Sequence, residues 1–279
     1  MTDAQPSKPV QRERTPISTR VRQASRLSPS VVRLVLSGAG LRGFPVGDYT
    51  DHYVKLLFPP DGADYGMPFD TEQVREQRPK VQWPCTRTFT VRDHDAELGE
   101  LTIDFVVHGT TGIAGPWAAQ AAPGDEIQLL GPGGGYAPDA AADWYLFVGD
   151  ASALPAIAVS LAQVPAGKQA LVLVEVDDLR DRQELPTAAD ADVRWAHRVD
   201  GAQGLLDAVQ ALDFPNGAVD AFVHGEAGAV RAVRRHLLAE RGVPREALSA
   251  SGYWKRGRTD EGWRAEKPEW KRQVALDAG

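Results

Sequence analysis

The sequence is poor in cysteine and in long apolar runs. Cys85 is the single cysteine among 279 residues, so an internal disulfide and an iron–sulfur site built only from cysteines are both excluded. Such low cysteine usage is typical of a reducing compartment. No stretch approaches the roughly 20 consecutive apolar residues that span a bilayer. We therefore expect a cytoplasmic protein with no membrane partner.

The chain also has fewer basic residues than acidic ones, 31 Lys and Arg against 38 Asp and Glu. The formal net charge is −7 at neutral pH, and an acidic protein is repelled overall by a phosphate polymer, which argues against nucleic acid as a partner. The six histidines show no metal-ligand spacing, so no metal site of the protein's own is expected. Residues 1–16 are polar, contain three prolines and lack the apolar core of a signal peptide, which predicts a disordered leader.

Two regions with different sequence patterns follow the predicted leader. Residues 17–137 consist of short alternating runs separated by Gly, Pro and Asp turns, which predicts an antiparallel β-barrel. Glycine and proline then break all periodicity over residues 131–139. Over residues 143–248, buried-strand runs such as Trp144–Val148 alternate with helical spacing, which predicts an α/β domain with a parallel sheet. Residues 249–279 are predicted to be a C-terminal tail whose aromatic side chains pack back on the body.

One short strand carries an unusual combination of side chains. In the stretch Arg87-Thr88-Phe89-Thr90, the two-residue period of a strand puts Arg87 and Phe89 on one face and the two threonines on the other. A twist or bulge at the strand end can bring Thr90 round, so that a cation, an aromatic ring and a hydroxyl lie within a few ångströms of each other. A flavin dinucleotide needs these three groups: a charge for its phosphate, a flat face for its ring and a hydrogen-bond partner for the reacting ring nitrogen. An ordinary half-buried strand is the alternative interpretation of the same stretch.

Two strand–turn–helix segments are candidate anion and nucleotide sites. Residues 104–109 end a strand and continue into the glycine-rich turn 110–117, and a helix beginning there would offer backbone N–H groups to a pyrophosphate. Residues 149–157 form a second small-residue turn after a buried strand, at the carboxyl edge where open α/β sheets bind ligands. Tight connections that need glycine for their dihedral angles remain the alternative for both. Asp150 either caps the following helix or contacts a ligand.

Taken in order along the chain, these motifs resemble the siderophore-interacting protein family. The resemblance is carried by Arg-x-Phe-Thr at 87–90, His108-Gly109 with Trp117-Ala118, Gly149 to Ile157, Gly225-Glu226-Ala227 and Gly252 to Gly257. It covers about residues 17–262 and implies a ferredoxin-reductase-like, FAD-dependent enzyme. Such an enzyme oxidises NADPH or NADH and reduces a ferric siderophore, so that Fe(II) is released. No protein acid, base or metal ligand is needed for that chemistry.

The resemblance also implies which residues bind the cofactors. The flavin side of the site is expected to comprise Arg87, Thr88, Phe89, Thr90, Asp104, Val106, His108, Gly109, Gly112, Ala114, Gly115 and Trp117. The nicotinamide side is expected to comprise Gly149, Asp150, Ser152, Ala153, Gly225, Glu226 and Ala227, with Tyr253 and Trp254 as the aromatic residues near the isoalloxazine.

Two positions depart from the family pattern. Phe89 stands where tyrosine is usual, which keeps a stacking face but loses a hydroxyl. Gly115 stands where serine is frequent, so a hydrogen bond to pyrophosphate would have to come from the backbone or from Thr110 or Thr111.

An anionic ferric siderophore requires a local basic pocket in this acidic protein. The candidate substrate-binding residues are Lys55 in the predicted barrel and Lys255, Arg256 and Arg258 in the tail. Solvated surface lysines and exposed ion pairs are the alternative interpretation of these four residues.

The electron donor is less clearly indicated by the sequence. Arg180 and Arg182 follow the second buried strand, where a 2′-phosphate would be recognised, but Glu175, Asp177 and Asp178 are adjacent and would suit a free ribose hydroxyl. The resemblance favours NADPH over NADH, with a ferredoxin as the alternative donor.

Two other functions fit the same architecture. One is a flavin or ferredoxin reductase, which would oxidise the nucleotide without a siderophore as acceptor. The other is a carrier that binds a siderophore or a flavin and has no turnover.

Overall fold

The computed structural model describes residues 15–198 and 203–277. An antiparallel sheet is formed by the first half of this chain and a parallel sheet flanked by helices by the second half. This confirms the predicted fold class. Nearly all of the predicted leader, residues 1–14, lies outside the described residues, and the first strand begins at Ile17.

The N-terminal domain is built on seven antiparallel strands in the order β4-β3-β7-β1-β2-β6-β5. The strands are β1 Ile17–Ser28, β2 Val31–Ser37, β3 Tyr53–Phe58, β4 Cys85–Thr90, β5 Asp93–Asp95, β6 Glu100–Val106 and β7 Glu126–Gly133, and the helices are α1 Thr71–Gln77 and α2 Ala114–Gln120. Alternate apolar side chains such as Leu34, Leu36, Leu101 and Ile103 have no exposed surface. Because β4 and β5 stand at the two ends of the strand order, closure into a barrel remains a prediction.

The C-terminal domain is built on five strands in the order β10-β9-β8-β11-β12, and every neighbouring pair is parallel. The strands are β8 Trp144–Asp150, β9 Gln169–Val176, β10 Asp190–His197, β11 Val219–Glu226 and β12 Leu248–Trp254, and the helices are α3 Leu154–Ala162, α4 Gln203–Gln210, α5 Ala227–Ala239 and α6 Asp260–Leu276. All residues of β8 and β11 are buried. Continuous burial explains why these strands are apolar on both faces.

The predicted C-terminal tail is part of the α/β domain. β12 begins at Leu248 and adds a strand to the sheet beside β11. α6 follows, capped by the Thr259 side chain, which accepts a hydrogen bond from the N–H of Gly262 at 3.1 Å. Trp263 and Trp270 are buried against the body, as expected for large aromatics. Alternating charges and an internal proline, Pro268, obscured the helical periodicity of this segment.

Over residues 15–198 and 203–277, no helix is both long and apolar enough to cross a bilayer. The same ranges contain no cluster of three or more His, Cys, Asp or Glu side chains that could hold a metal ion.

A buried carboxylate fastens the two domains together. Asp181 lies in a 3-10 turn, Leu179–Asp181, after β9 and is 1 % exposed. It accepts hydrogen bonds from Ser28 Oγ at 2.6 Å, Ser30 Oγ at 2.6 Å and Ser30 N at 3.0 Å, all on the β1–β2 hairpin. Burial raises the pKa of Asp181, but these hydrogen bonds outweigh it, so the pKa lies below its usual value.

We expect Asp181→Asn to lower the free energy of unfolding by about 1–3 kcal/mol at pH 7, because buried hydroxyl and amide donors lose a charged acceptor. The pKa of Asp181 is lower in the folded than in the unfolded protein. Its stabilising effect is therefore complete above the unfolded pKa and is lost as the pH falls through the folded pKa. Urea unfolding should show a difference from the parent protein that shrinks below about pH 4.

Asp192→Asn is the matched control, since Asp192 makes an exposed ion pair with Arg194. This variant should unfold almost like the parent protein. An Asp181→Asn protein that is equally stable at pH 7, or whose deficit persists unchanged in acid, would contradict the fastening role.

Candidate functional site

A cleft of about 840 Å³ lies between β4 and the carboxyl edge of the parallel sheet. Its size falls in the usual range of small-molecule sites, roughly 300–1,000 Å³. Residues of β4 and β6 line it from the N-terminal domain, and the ends of β8, β11 and β12 line it from the α/β domain, together with one face of α6. We call this space the interdomain cleft.

The strand that the sequence singled out forms one wall of the cleft. Arg87, Thr88, Phe89 and Thr90 all line it. The Phe89 ring packs on the buried ring of Phe105 with a centroid distance of 4.4 Å, which holds it in place. The strand therefore presents a guanidinium, a ring and hydroxyls to one space, although strict alternation would put the two threonines on the opposite face.

Three predicted flavin-side residues join this wall from β6 and the segment after it, namely Asp104, Val106 and His108. Asp104 is buried and makes a bidentate ion pair with Arg33, with N–O distances of 2.6 and 2.7 Å. This pairing fixes the carboxylate and neutralises its charge, so it does not repel an anion in the cleft.

Arg87 already holds oxyanions in this structure. Its Nη1 lies 2.6 Å from a carboxylate oxygen of Glu261 and 3.4 Å from one of Asp260, both in the first turn of α6. Burial raises the pKa of Asp260, while Arg264 and Arg87 oppose that effect. The two carboxylates show that the guanidinium is placed to bind an anionic group, and a phosphate would have to compete with them.

Asp150 organises the opposite wall. Although 2 % exposed, its carboxylate accepts hydrogen bonds from Ser152 N at 2.9 Å, Ser152 Oγ at 2.5 Å, Glu226 N at 2.8 Å and Trp254 Nε1 at 2.8 Å. The residue therefore joins the ends of three neighbouring strands. Asp150 does not cap α3, whose N-cap is Ala153, but it orders the turn before that helix and lines the cleft, and its contact with a ligand stays a prediction.

Two glycines make room for this arrangement. A Cβ on Gly225, whose φ is +138°, would lie 2.7 Å from Asp150 Oδ2, and a Cβ on Gly149 would lie 2.8 Å from the carbonyl oxygen of His224. Any side chain at either position would push the strand ends apart. Gly225 allows close packing on the Asp150 carboxylate, and Gly149 allows β11 and the start of α3 to approach the end of β8.

Several predicted cofactor residues do not line the cleft, namely Gly109, Gly112, Ala114, Gly115, Trp117, Gly149, Ala153, Gly225, Glu226 and Ala227. The Trp117 ring packs in the core against Phe58 at 5.6 Å and Phe105 at 5.9 Å. Glu226 caps α5 by accepting from Ala229 N at 2.8 Å. Direct cofactor contact by these residues stays a prediction, whereas their packing roles are visible.

The structure places the predicted substrate cations differently from the sequence expectation. Lys55 lines the cleft, but Lys255, Arg256 and Arg258 do not. Lys255 Nζ lies 2.6 Å from a carboxylate oxygen of Glu266, and Arg258 pairs with the same carboxylate. Because α6 carries Glu266 back beside this turn, the charges of Lys255 and Arg258 are satisfied locally.

Three cations that the sequence prediction missed lie on α6. Arg264, Lys267 and Lys271 follow each other at helical spacing and line the cleft. Arg264 is tied to Thr86 O at 2.6 Å, whereas Lys267 and Lys271 have no carboxylate partner among the described residues. Burial lowers the pKa of Lys267, and the positive charge of Lys271 adds to this. Assigning a helix to this segment would have revealed the shared face.

Arg198, directly after β10, is a further cation that the prediction missed. Its Nε lies 2.9 Å from Glu175 Oε2, and its guanidinium carbon lies 5.1 Å from the centroid of the Trp254 ring. It lines the cleft, whereas Arg180 and Arg182 do not. Arg180 instead makes an exposed ion pair with Asp178.

Comparison with known proteins identifies the two domains. Residues 20–136 match the siderophore-interacting FAD-binding domain, and residues 142–257 match the siderophore-interacting protein model. The chain belongs to the siderophore-interacting protein family. A relative in this family, the ferric vibriobactin reductase ViuB of Vibrio cholerae, is 36 % identical over 250 residues, which cover 86 % of this chain and 90 % of ViuB.

Another relative, the NADPH-dependent ferric-chelate reductase of Escherichia coli, is 30 % identical over 240 residues, covering 84 % of this chain and 91 % of that protein. Among solved structures, the siderophore-interacting protein SipS from Aeromonas hydrophila superposes with a TM-score of 0.80 at 28 % identity and covers 93 % of this chain and 99 % of its own. A ferredoxin reductase of carbazole 1,9a-dioxygenase, at 16 % identity and a TM-score of 0.60, covers 86 % of this chain and 69 % of its own and shares the fold.

The residues in the cleft fit the FAD that this domain type binds. A guanidinium that already holds two carboxylates, a fixed aromatic face and two threonine hydroxyls stand on one strand. Tyr253 and Trp254 face the same space from β12. Cation, ring and hydroxyl are the donor set that the phosphate and the ring system require.

We expect Glu261→Gln to tighten FAD binding by about two- to fivefold, because the exposed Glu261 carboxylate competes with a flavin phosphate for Arg87. Titration of the apoprotein with FAD, followed by quenching of flavin fluorescence, measures the change. Glu269→Gln is the control, since Glu269 pairs with Arg272 on α6 and does not line the cleft. Unchanged or weaker binding in Glu261→Gln would show that Arg87 does not hold the phosphate.

Proposed function

We propose that this protein is an NADPH-dependent ferric-siderophore reductase that works through bound FAD. The overall reaction converts NADPH and two Fe(III) into NADP⁺, two Fe(II) and one proton, so charge and electrons balance. A bound flavin accepts two electrons from a nicotinamide and passes them on singly. Hard oxygen ligands bind Fe(II) more weakly than Fe(III), and reduction therefore releases the metal.

One observation carries this proposal. The strand Arg87–Thr90, whose side chains suit a flavin, faces the carboxyl edge of a parallel sheet across a single cleft, and lysines that form no ion pair with a described carboxylate line that cleft. Carboxyl edges of parallel strands are the usual nucleotide sites of open α/β sheets. The cleft thus offers places for a flavin, a nicotinamide nucleotide and an anionic acceptor, which a simple carrier does not need. The names of ViuB and of the E. coli reductase support the same function.

The protein's own contribution is binding and orientation. On this proposal Phe89 and Tyr253 provide surfaces for the ring, Arg87 holds a phosphate, and Thr90 offers its hydroxyl to the reacting nitrogen. Arg198 lines the cleft at the α/β edge and is proposed to bind a phosphate of the nucleotide, which would have to compete with Glu175 and Asp177 for its guanidinium. Holding the reactants within about 3 to 3.5 Å of each other is the main rate effect available to such a site.

The siderophore is proposed to bind where cations lack carboxylate partners. Lys55, Lys267 and Lys271 line the cleft and form no ion pair with a described carboxylate, and Asp260 acts on the charge of Lys267 only from beyond ion-pair distance. An anionic ferric catecholate would be attracted there despite the net charge of −7. This replaces the tail cations of the sequence prediction, of which Lys255 and Arg258 are committed to Glu266.

We further propose that the protein works in the cytoplasm, where a lone reduced cysteine is the norm. A ferredoxin is the alternative electron donor. A reaction driven by reduced ferredoxin and not by nucleotide would identify it.

The function is tested by an anaerobic absorption spectrum of the purified protein, after incubation with FAD. NADPH or NADH is added first, and a ferric siderophore with an Fe(II) trap second. We expect the visible flavin band to bleach, faster with NADPH, and to return as Fe(II) appears.

The other possible outcomes would indicate different functions. Bleaching without reoxidation by ferric siderophore would indicate a reductase with another acceptor. Siderophore binding without any nucleotide oxidation would indicate a carrier, and a protein that takes up no flavin would refute the assignment of Arg87 to Thr90.

We expect Lys267→Gln to raise the KM for an anionic ferric catecholate by roughly tenfold, or ~1.4 kcal/mol, with little change in kcat. The loss should shrink at high salt, because the attraction is electrostatic. Lys80→Gln, at an exposed lysine that does not line the cleft, is the control. A fall in kcat at unchanged KM would instead assign Lys267 to electron transfer or folding.

A further inference from the structure

One exposed aromatic ring in the cleft has no role in the reaction proposed above. Tyr53 lies on β3, lines the cleft and is 36 % exposed. Phe89 and Tyr253 are the surfaces proposed for the flavin ring. Aromatic side chains that line a pocket, together with a few polar groups, are typical of small-molecule sites. The ring of Tyr53 is therefore a candidate contact for a further ligand.

A glycine holds the ring of Tyr53 in place. Tyr53 pairs with Gly133 on the neighbouring strand β7, and a Cβ on Gly133 would lie 2.3 Å from Cζ of Tyr53 and 2.5 Å from its hydroxyl oxygen. The phenol ring therefore lies directly against the Gly133 backbone, in a close approach that a side chain there would prevent. Because the ring is supported on this side and still exposed, its remaining surface is open to a ligand.

A cation stands beside this ring on the same face of β3. Tyr53 and Lys55 are exposed, whereas the alternate residues Val54 and Leu56 have no exposed surface. Alternate residues of a strand lie about 7 Å apart, and the side chains of Tyr53 and Lys55 both line the cleft. We call these two residues the aryl subsite, because they combine a flat face with a positive charge.

This combination distinguishes iron chelators by their chemistry. A ferric tris-catecholate is trianionic, and each of its chelating groups is an aromatic ring that carries two oxygens. A ferric complex of three aliphatic hydroxamates is neutral, and its chelating groups have no ring face. Stacking and charge attraction therefore both favour the aromatic complex, whereas the aliphatic complex gains neither.

We propose that Tyr53 is a substrate-binding residue that stacks on a catecholate ring of the ferric siderophore, while Lys55 attracts the oxygens of the same ring. Aromatic pairs place their centroids about 4.5–7 Å apart, and a ring held on Tyr53 keeps its oxygens within reach of a lysine two residues along the strand. Tyr53 therefore selects the substrate by its ring, and the lysines of the cleft select it by its charge. This inference rests on the siderophore binding in the proposed function.

Binding of a redox-inactive complex tests the aryl subsite without any turnover. Ga(III) has the charge and nearly the radius of Fe(III), and a flavin does not reduce it. The FAD-loaded protein is titrated calorimetrically with the Ga(III) complexes of a hexadentate tris-catecholate and of a hexadentate aliphatic tris-hydroxamate. Each titration is made at low salt and at about 1 M salt, where charges are screened beyond about 3 Å.

Tyr53→Leu removes the flat face and keeps an apolar side chain. We expect this variant to bind the Ga(III) tris-catecholate roughly three- to tenfold more weakly at both salt concentrations, since an aromatic contact contributes about that factor. Its binding of the tris-hydroxamate should not change. Tyr53→Phe keeps the ring and should restore most of the affinity.

Two further variants separate the parts of the subsite. Gly133 does not line the cleft, so Gly133→Ala displaces the Tyr53 ring without removing a contact of its own. It should weaken tris-catecholate binding in the same direction, and it replaces Tyr53→Leu if that variant does not fold. Lys55→Gln should weaken binding at low salt only, because screening removes its contribution.

Tyr49→Leu is the matched control. Tyr49 is an exposed tyrosine just before β3 that packs on His52 with a ring centroid distance of 5.9 Å and does not line the cleft. This variant should bind both Ga(III) complexes like the parent protein.

Three results would overturn the proposal: unchanged tris-catecholate binding in Tyr53→Leu, an equal loss for both complexes, or a matching loss of FAD affinity, which would assign the ring to the flavin. A protein that reduces a ferric siderophore with NADPH but gives one of these results refutes the aryl subsite alone. A protein that binds the tris-catecholate through Tyr53 but does not oxidise NADPH keeps the subsite and refutes the proposed reductase. A parent protein that binds neither complex refutes both, and one that binds only the tris-hydroxamate refutes the subsite.

Discussion

The buried carboxylate of Asp150 is the constraint on which the site depends. A charge removed from water must be surrounded by donors, and here those donors come from the turn before α3, the end of β11 and the indole of Trp254 on β12. Satisfying this one group brings three strand ends to a common edge. The wall of the cleft that faces β4 is a consequence of that convergence.

The C-terminal helix α6 decides the electrostatics of the cleft. Its first turn places Glu261 on Arg87, while Lys267 and Lys271, about two and three turns further along the helix, have no carboxylate partner among the described residues. One helix therefore supplies both the carboxylate that would compete with a phosphate for Arg87 and the positive charge that would attract an anionic acceptor. An acidic protein can attract an anionic ligand because its charge is segregated in this way.

The sequence predicted the fold class and one wall of the site well because both depend on local patterns. Strand alternation and turn residues indicated two domains of different type, and the period of a strand placed Arg87 and Phe89 together. Helix α6 was not predicted, because Pro268 and alternating charges mask its periodicity. Strand β12, the fifth of the parallel sheet, was predicted to be the beginning of a tail. Closure of the antiparallel sheet into the predicted barrel depends on long-range geometry that short patterns do not contain.

By itself, the sequence determined which residues could carry a cation, a ring and a hydroxyl on one strand, and which turns could leave a parallel sheet. Only the tertiary structure decided which cations are paired with a carboxylate. Lys255 is neutralised by Glu266 whereas Lys267 is not, and His224 became a buried partner of Tyr253 through the pairing of β11 with β12. The physical reason is that burial, ion pairing and hydrogen bonding join residues far apart in the chain, and their sequence spacing carries no record of such contacts.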